Sequence, residues 1–180
     1  MEYRRLRKEG GTYFFTVVTH ERRHFLTLPE HVELLRTVLR EVMKTYPFVI
    51  VAFVLLPDHL HCIWTLPPGD SDYSTRWRLV KSHFTRECLP VAHGQISPSR
   101  AMKGEKAVWQ RRSWEHTIRD QDDFNRHFDY IHYNPVKHGY AIAPKDWAYS
   151  SFHTYVSEGI YDIHWGANIE MLFDGSIGAE

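Results

Sequence analysis

The sequence predicts an α+β fold, an antiparallel sheet with helices packed on it, from three observations. β-Branched and aromatic runs recur at Thr12–Thr19, Phe48–Leu56 and His59–Leu66, the composition that suits a pleated, half-buried surface. Segments with apolar residues three and four apart alternate with those runs, as amphipathic helices require. Two of the runs are separated only by Pro57-Asp58, a turn short enough to make them an antiparallel hairpin.

Taken in order, Gly10-Gly11 precedes the first strand. Pro29 opens a helix with Val32, Leu35, Leu39, Val42 and Tyr46 on its apolar stripe, ended by Pro47,. The hairpin follows, and Pro67-Pro68-Gly69-Asp70 stops it. From Ser74, the positions Trp77, Val80, Phe84 and Cys88 give a second helix whose other face is basic,. Residues 89–106, rich in Pro, Gly, Ser and Lys, read as a mobile loop,. Val108–Ile118 has strand character. A third helix is expected from Asp120 to Asn134, with an acidic first turn and Pro135 and Gly139 as its stop,. Trp147, Tyr149, Phe152, Tyr155 and Trp165 suggest that residues 145–180 form a packed C-terminal extension of a single 1–180 domain.

At 180 residues and 43% hydrophobic, the chain can bury a sizeable core,. No apolar run approaches the roughly 20 residues of a spanning helix, so a soluble, cytoplasmic protein is expected. Cys62 and Cys88 both lie in apolar patterns, as buried thiols do,. A formal net charge of zero conceals an uneven distribution. Fourteen of the 22 basic residues sit in three segments: Arg4, Arg5, Arg7 and Lys8; Arg76, Arg78, Lys81 and Arg86; and Arg100, Lys103, Lys106, Arg111, Arg112 and Arg119. Brought together in space they would make a basic face for nucleic acid; apart, they are solvated helix faces and loops.

Residues two apart on a strand share a face. His59 and His61 therefore project together, and Leu60, Cys62, Trp64 and Leu66 take the other side. Such a pair can hold a divalent metal if a third ligand arrives from elsewhere, or it can be simply hydrogen-bonded. On the third helix Phe124, Phe128 and Ile131 form the buried stripe, and Tyr130 and Asn134 share a flank beside it, with His127 nearby,. Asp58 either orients an imidazole or caps the turn. Trp109 and Trp114 are core residues or stacking platforms, and Lys137 and His138 are exposed or touch phosphate.

The stretches "LLPDHLHCIWTLP", "WQRRSWEHTIRD" and "FDYIHYNPVKHGY", supported by "YRRLRKEGGTYFFTVV" and "STRWRLVKSHFT", resemble the REP-associated tyrosine transposases, a bacterial group of the single-tyrosine HUH transposase superfamily. The resemblance covers roughly residues 3–165. It implies a ferredoxin-like, HUH endonuclease-type sandwich. It also implies a divalent metal, Mg with Mn able to substitute, on His59, His61 and Asn134, although related insertion-sequence transposases commonly carry Gln at the last of these positions. Tyr130 would be the nucleophile that cleaves and rejoins single-stranded DNA through a 5′-phosphotyrosine. The implied partner is single-stranded DNA with REP hairpins, contacted by Arg4, Arg5, Arg7, Arg76, Lys81, Arg111, Arg112, Arg119 and Lys137. The implied protein is a nucleoid-associated monomer using no nucleotide cofactor. The alternative from another class is a hairpin-binding protein that does not cleave.

Overall fold

The computed structural model describes residues 10–175, 177 and 178. Four strands, β1 (Thr12–Val18), β2 (Val49–Leu55), β3 (His59–Thr65) and β4 (Trp114–Thr117), form one antiparallel sheet in the order β2-β3-β1-β4. With α1 (Pro29–Thr45) between β1 and β2 and α2 (Tyr73–Glu87) between β3 and β4, this is the βαββαβ arrangement of ferredoxin-like folds. Three further helices follow in sequence: the one-turn α3 (Pro98–Ala101), α4 (Gln121–Lys137) and α5 (Phe152–Ser157). Among the described residues no helix is long and apolar enough to cross a membrane.

Strand alternation sorts the core into two layers. Tyr13, Phe15 and Val17 of β1 and Leu60, Cys62 and Trp64 of β3 pack under α1 and α2, where Trp64 stacks on Trp77 at 4.1 Å. Phe14, Val54 and Ile63 point the other way, into a layer closed by Phe128 and Ile131 of α4 and by Phe152 and Tyr161 beyond it. His59 and His61 share this second face, as the period of two requires. Cys62 and Cys88 are buried free thiols.

Arg76, expected at a DNA surface, is instead 1% exposed. Its guanidinium forks onto the Asp70 carboxylate (2.6 and 3.2 Å) and donates to the carbonyls of Asp72, Pro47 and Tyr46. All five of its N–H donors are thereby used, so it ties the start of α2 to the end of α1 and has nothing left for phosphate.

The strand expected over Val108–Ile118 is ordered as β4 only from Trp114, with an isolated bridge between Thr19 and Trp109. Lys81 Nζ takes the Gln110 carbonyl (3.2 Å) and the Ser113 hydroxyl (2.8 Å), and the chain bends where a neighbouring strand would have paired. The 89–106 segment is not a bare loop: Arg100, 9% exposed, anchors it to Glu105 and to the Trp109 carbonyl.

Helix α4 runs through Pro135 instead of ending before it. Proline removes one N–H bond, whereas the stop is made at Gly139 (φ +71°), where the chain reverses and Tyr140 N donates to the Pro135 carbonyl,. The extra turn carries Lys137 onto the helix and sets His138 at its C-cap.

The segment after α4 covers the free edge of β2. Leu55 N donates to Tyr149 O, Ser151 N to Phe53 O, Phe53 N to Ser151 Oγ, Trp147 Nε1 to Leu55 O, and Tyr155 Oη to Val51 O. An edge so occupied offers little for another strand to pair with.

Candidate metal centre and nucleophile

His59 and His61 are 1% and 0% exposed, with ring centroids 4.9 Å apart. Each is pinned through Nδ1. His59 Nδ1–H donates to Asp58 Oδ1 at 2.6 Å, and Asp58 Oδ2 in turn accepts from Arg22 at 2.8 Å. Burial alone would raise the Asp58 pKa, but these two partners outweigh it and hold the carboxyl at about 2,. His61 Nδ1 lies 2.9 Å from Thr16 Oγ1. The ionised Asp58 can only accept, so His59 carries its proton on Nδ1 and presents a lone pair on Nε2, the orientation that a carboxylate partner gives a ligating histidine.

Arg22, which sequence reasoning missed, adopts a left-handed backbone (φ +51°) beside Glu21 (φ +55°). Non-glycine residues hold that conformation only when their surroundings over-determine it. The ion pair with Asp58 does so here.

Opposite the histidines lies one stripe of α4. Tyr130 packs its ring 5.2 Å from that of His61, and His138, two turns on, packs 5.1 Å from His59. Asn134 lies between them along α4, one turn past Tyr130, and is fully buried,. Phe14 braces the group from β1, with its ring 5.4 Å from His61 and 6.1 Å from Tyr130. Two imidazole nitrogens and a carboxamide oxygen make a donor set fitting a divalent cation that tolerates both nitrogen and oxygen.

Lys137 lies against Tyr130. Its Nζ donates to Tyr130 Oη at 3.1 Å and lies 5.0 Å from the ring centroid. An ammonium on a phenol oxygen favours the phenolate. His127 and His132, the neighbouring imidazoles, are engaged elsewhere. His127 Nδ1 bonds to the Asp123 carbonyl. His132 contacts Ser151 and Tyr161, and burial lowers its pKa to about 3.

Tyr130 is itself only 1% exposed. Phe173 meets its ring edge-on at 5.4 Å, and a Cβ placed on Gly178 would come within 2.6 Å of Oη. Phe173 and Gly178 therefore lie directly against Tyr130.

A second cluster, His116, Asp123 and His127, has ligand atoms within 4.8 Å of one another. It works as the anchor of α4. Asp123 Oδ2 accepts from His116 Nε2 (2.8 Å), the Arg119 backbone N–H (2.9 Å) and Arg119 Nε (3.3 Å), while its own N–H is capped by Asp120. The two arginines near its carboxylate, Arg119 and Arg126, oppose a cation there. Burial raises the Asp123 pKa, but His116 and the Arg119 N–H overcome it and bring it to about 2, below the usual 3.8. A lowered carboxyl stabilises the fold fully above about pH 4 and loses that contribution as pH falls toward 2. Asp123→Asn is expected to cost about 2 kcal/mol near neutrality and almost nothing near pH 2, as denaturant unfolding at the two pH values would measure.

Of the remaining predicted contacts, Arg4, Arg5 and Arg7 lie outside the described residues. Arg112 and Arg119 are exposed, and Arg111 pairs with Glu105 at 2.9 Å. Lys81 and Arg111 line one cavity, so two of the three basic segments meet. Trp109 is core, and Trp114 is half-buried against Phe14.

The site sets the buried Tyr130 against His61 of the histidine pair, and comparison with known proteins identifies the family. The family described as "Transposase IS200 like" matches residues 8–134. A REP-associated tyrosine transposase of Escherichia coli K12 is 44% identical over 168 residues, covering 93% of this chain and 92% of that protein. A Haemophilus influenzae protein provisionally given the same name is 44% identical over 176 residues, 97% and 98% of the two chains. A solved REP-associated tyrosine transposase bound to a REP hairpin is 42% identical and superposes with a TM-score of 0.77, covering 96% of this chain and 94% of that one. The chain belongs to the IS200-like transposases, and within them to the REP-associated tyrosine transposases, enzymes that act on DNA.

Proposed function

We propose that this protein binds REP hairpins and cleaves and rejoins their single-stranded flanks through a 5′-phosphotyrosine on Tyr130, with a divalent metal on His59, His61 and Asn134. The observation that carries the reading is the meeting of Tyr130 with His61 on one side and with the Lys137 ammonium on the other. A free phenol titrates near pH 10, so about one in a thousand is ionised at neutrality, a deficit of roughly 4 kcal/mol. Lys137 offsets part of that deficit by donating to Oη. The phenol loses its proton to solvent, the phenolate attacks the scissile phosphorus, the P–O3′ bond breaks, and the 3′-oxygen leaves and takes up a proton from solvent to become a 3′-hydroxyl. Reversal by a 3′-hydroxyl rejoins the strand without ATP, because the phosphodiester energy is kept in the tyrosyl ester.

The cation, Mg with Mn as a substitute, supplies Lewis-acid neutralisation of phosphate charge. The chain's own part is to hold the two imidazoles fixed: Asp58 and Thr16 engage their Nδ1 atoms, and Arg22 helps keep Asp58 ionised. The capped β2 edge supports a monomer working on its own DNA, and a dimer mass in light scattering would overturn that part.

The test is to incubate wild type and Tyr130→Phe with labelled hairpin DNA carrying single-stranded flanks, in Mg, Mn or EDTA, and resolve the products on a denaturing protein gel. A metal-dependent covalent band in wild type alone is expected. A chain ending at Leu172 should give more of it, since the segment over Tyr130 is gone. Tight hairpin binding with no covalent product in any metal would leave the binding-only alternative.

A further inference from the structure

A cavity of about 470 Å³ opens on the sheet face opposite the histidines, between α2 and residues 104–113. Its volume falls within the ~300–1,000 Å³ of small-molecule sites. The floor is aromatic and belongs to the core: Phe15, Trp77 and Trp109. Five basic side chains and two carboxylates line it.

Lys81 stands out among these cations. Among the described residues it donates to neutral groups, the Gln110 carbonyl and the Ser113 hydroxyl, and burial lowers its pKa to about 8. An ammonium held in a wall on neutral acceptors is suited to an anion from outside. Arg78 lines the same cavity from the preceding turn of α2.

The chemistry of the wall thus calls for a ligand with an apolar, flat body and an anionic group, and the family acts on DNA. A base inside a duplex is stacked and paired and cannot enter such a recess, whereas an unpaired one can. The route to the catalytic face is short, because β4 is the sheet edge. Glu115 of β4 lines the cavity, while Trp114, next to it in the strand, packs on the histidine side. Exposed Arg112 follows the bend at Arg111, just before β4.

We infer that this cavity is a subsite for one unpaired nucleotide of the bound DNA, its base against the aromatic floor and its phosphate on Lys81 and Arg78. The inference rests on the hairpin-binding reading above.

The experiment measures anisotropy-based affinity of the full chain for a flanked hairpin and for a series with an abasic site at each unpaired position. It is repeated with Ser82→Trp, which fills the cavity from α2, and with Lys81→Met. One abasic position is expected to weaken wild-type binding about tenfold, in line with loss of a base from an aromatic site, and to cost Ser82→Trp less than twofold. Lys81→Met should make the salt dependence shallower by about 0.7, one single-strand phosphate. If wild type binds the hairpin but no abasic penalty is lost in Ser82→Trp, or the Lys81→Met slope is unchanged, the subsite is overturned. The gel assay on wild type judges the cleavage reading separately. A covalent band with no abasic coupling sinks only the subsite; coupling without a covalent band sinks only the cleavage chemistry. A wild type that does not bind the hairpin overturns both.

Discussion

His59→Ala is expected to reduce covalent adduct formation on the order of a thousandfold while hairpin affinity stays within about threefold of wild type. The size follows from what the site is built to supply, since charge neutralisation at a reacting phosphate contributes several kcal/mol, and about 4 kcal/mol is a thousandfold in rate. The sparing of affinity follows from burial: at 1% exposure under α4, the imidazole presents nothing to a hairpin stem. His59 is the better of the two histidines to remove, because Asp58 keeps Arg22 as a partner, whereas loss of His61 strands the buried Thr16 hydroxyl. Manganese binding followed by electron paramagnetic resonance gives a second readout, expected to weaken in parallel with cleavage. Equal loss of cleavage and of hairpin affinity would mean that the histidines support the fold and not a separable metal centre.

The parts of this site legible in sequence are those set by local periodicity. Alternation along β3 determines that His59 and His61 share a face and that Leu60, Cys62 and Trp64 share the other. Helical spacing puts Asn134 one turn past Tyr130. What the sequence hid depends on partners far along the chain. Arg76 looks like any basic residue on the polar face of α2, and only the folded position of Asp70 and three carbonyls makes it internal. Arg22 lies 36 residues before Asp58 and reaches it through a backbone conformation no pattern announces. The Asp120-x-x-Asp123 start of α4 was visible as an acidic first turn, but the His116 that completes its anchor comes from the neighbouring strand.

Pro135 shows how one local rule gave way. A proline inside a helix costs one hydrogen bond and a clash, and the sequence reading ended α4 there. In the fold that helix is held from both sides, by the sheet through Phe14 and Ile63 and by the C-terminal segment through Phe152 and Tyr161. Burial of that stripe outweighs the lost bond, so the helix continues to the glycine. The consequence is functional, because a helix ending at Asn134 would put neither Lys137 above Tyr130 nor His138 beside His59.

Lys137→Met therefore tests both the extra turn and its purpose. The exposed ammonium donates to Oη, and a charge-assisted hydrogen bond of this kind, discounted for solvent, contributes about 1.4 kcal/mol, a factor of roughly ten. Adduct formation at pH 7.5 is expected to fall about tenfold under saturating DNA. A mere phosphate contact would instead weaken binding and flatten its salt dependence. The two roles also separate by pH. If Lys137 favours the phenolate, the variant's deficit shrinks as pH rises toward the ordinary phenol range near 10, where the nucleophile ionises without help. A phosphate contact would leave the deficit constant until the lysine itself deprotonates. Lys137→Arg, which keeps the charge, should recover most of the rate. A pH-independent deficit together with a shallower salt slope would return Lys137 to the DNA-binding surface and leave Tyr130 without an identified activating group.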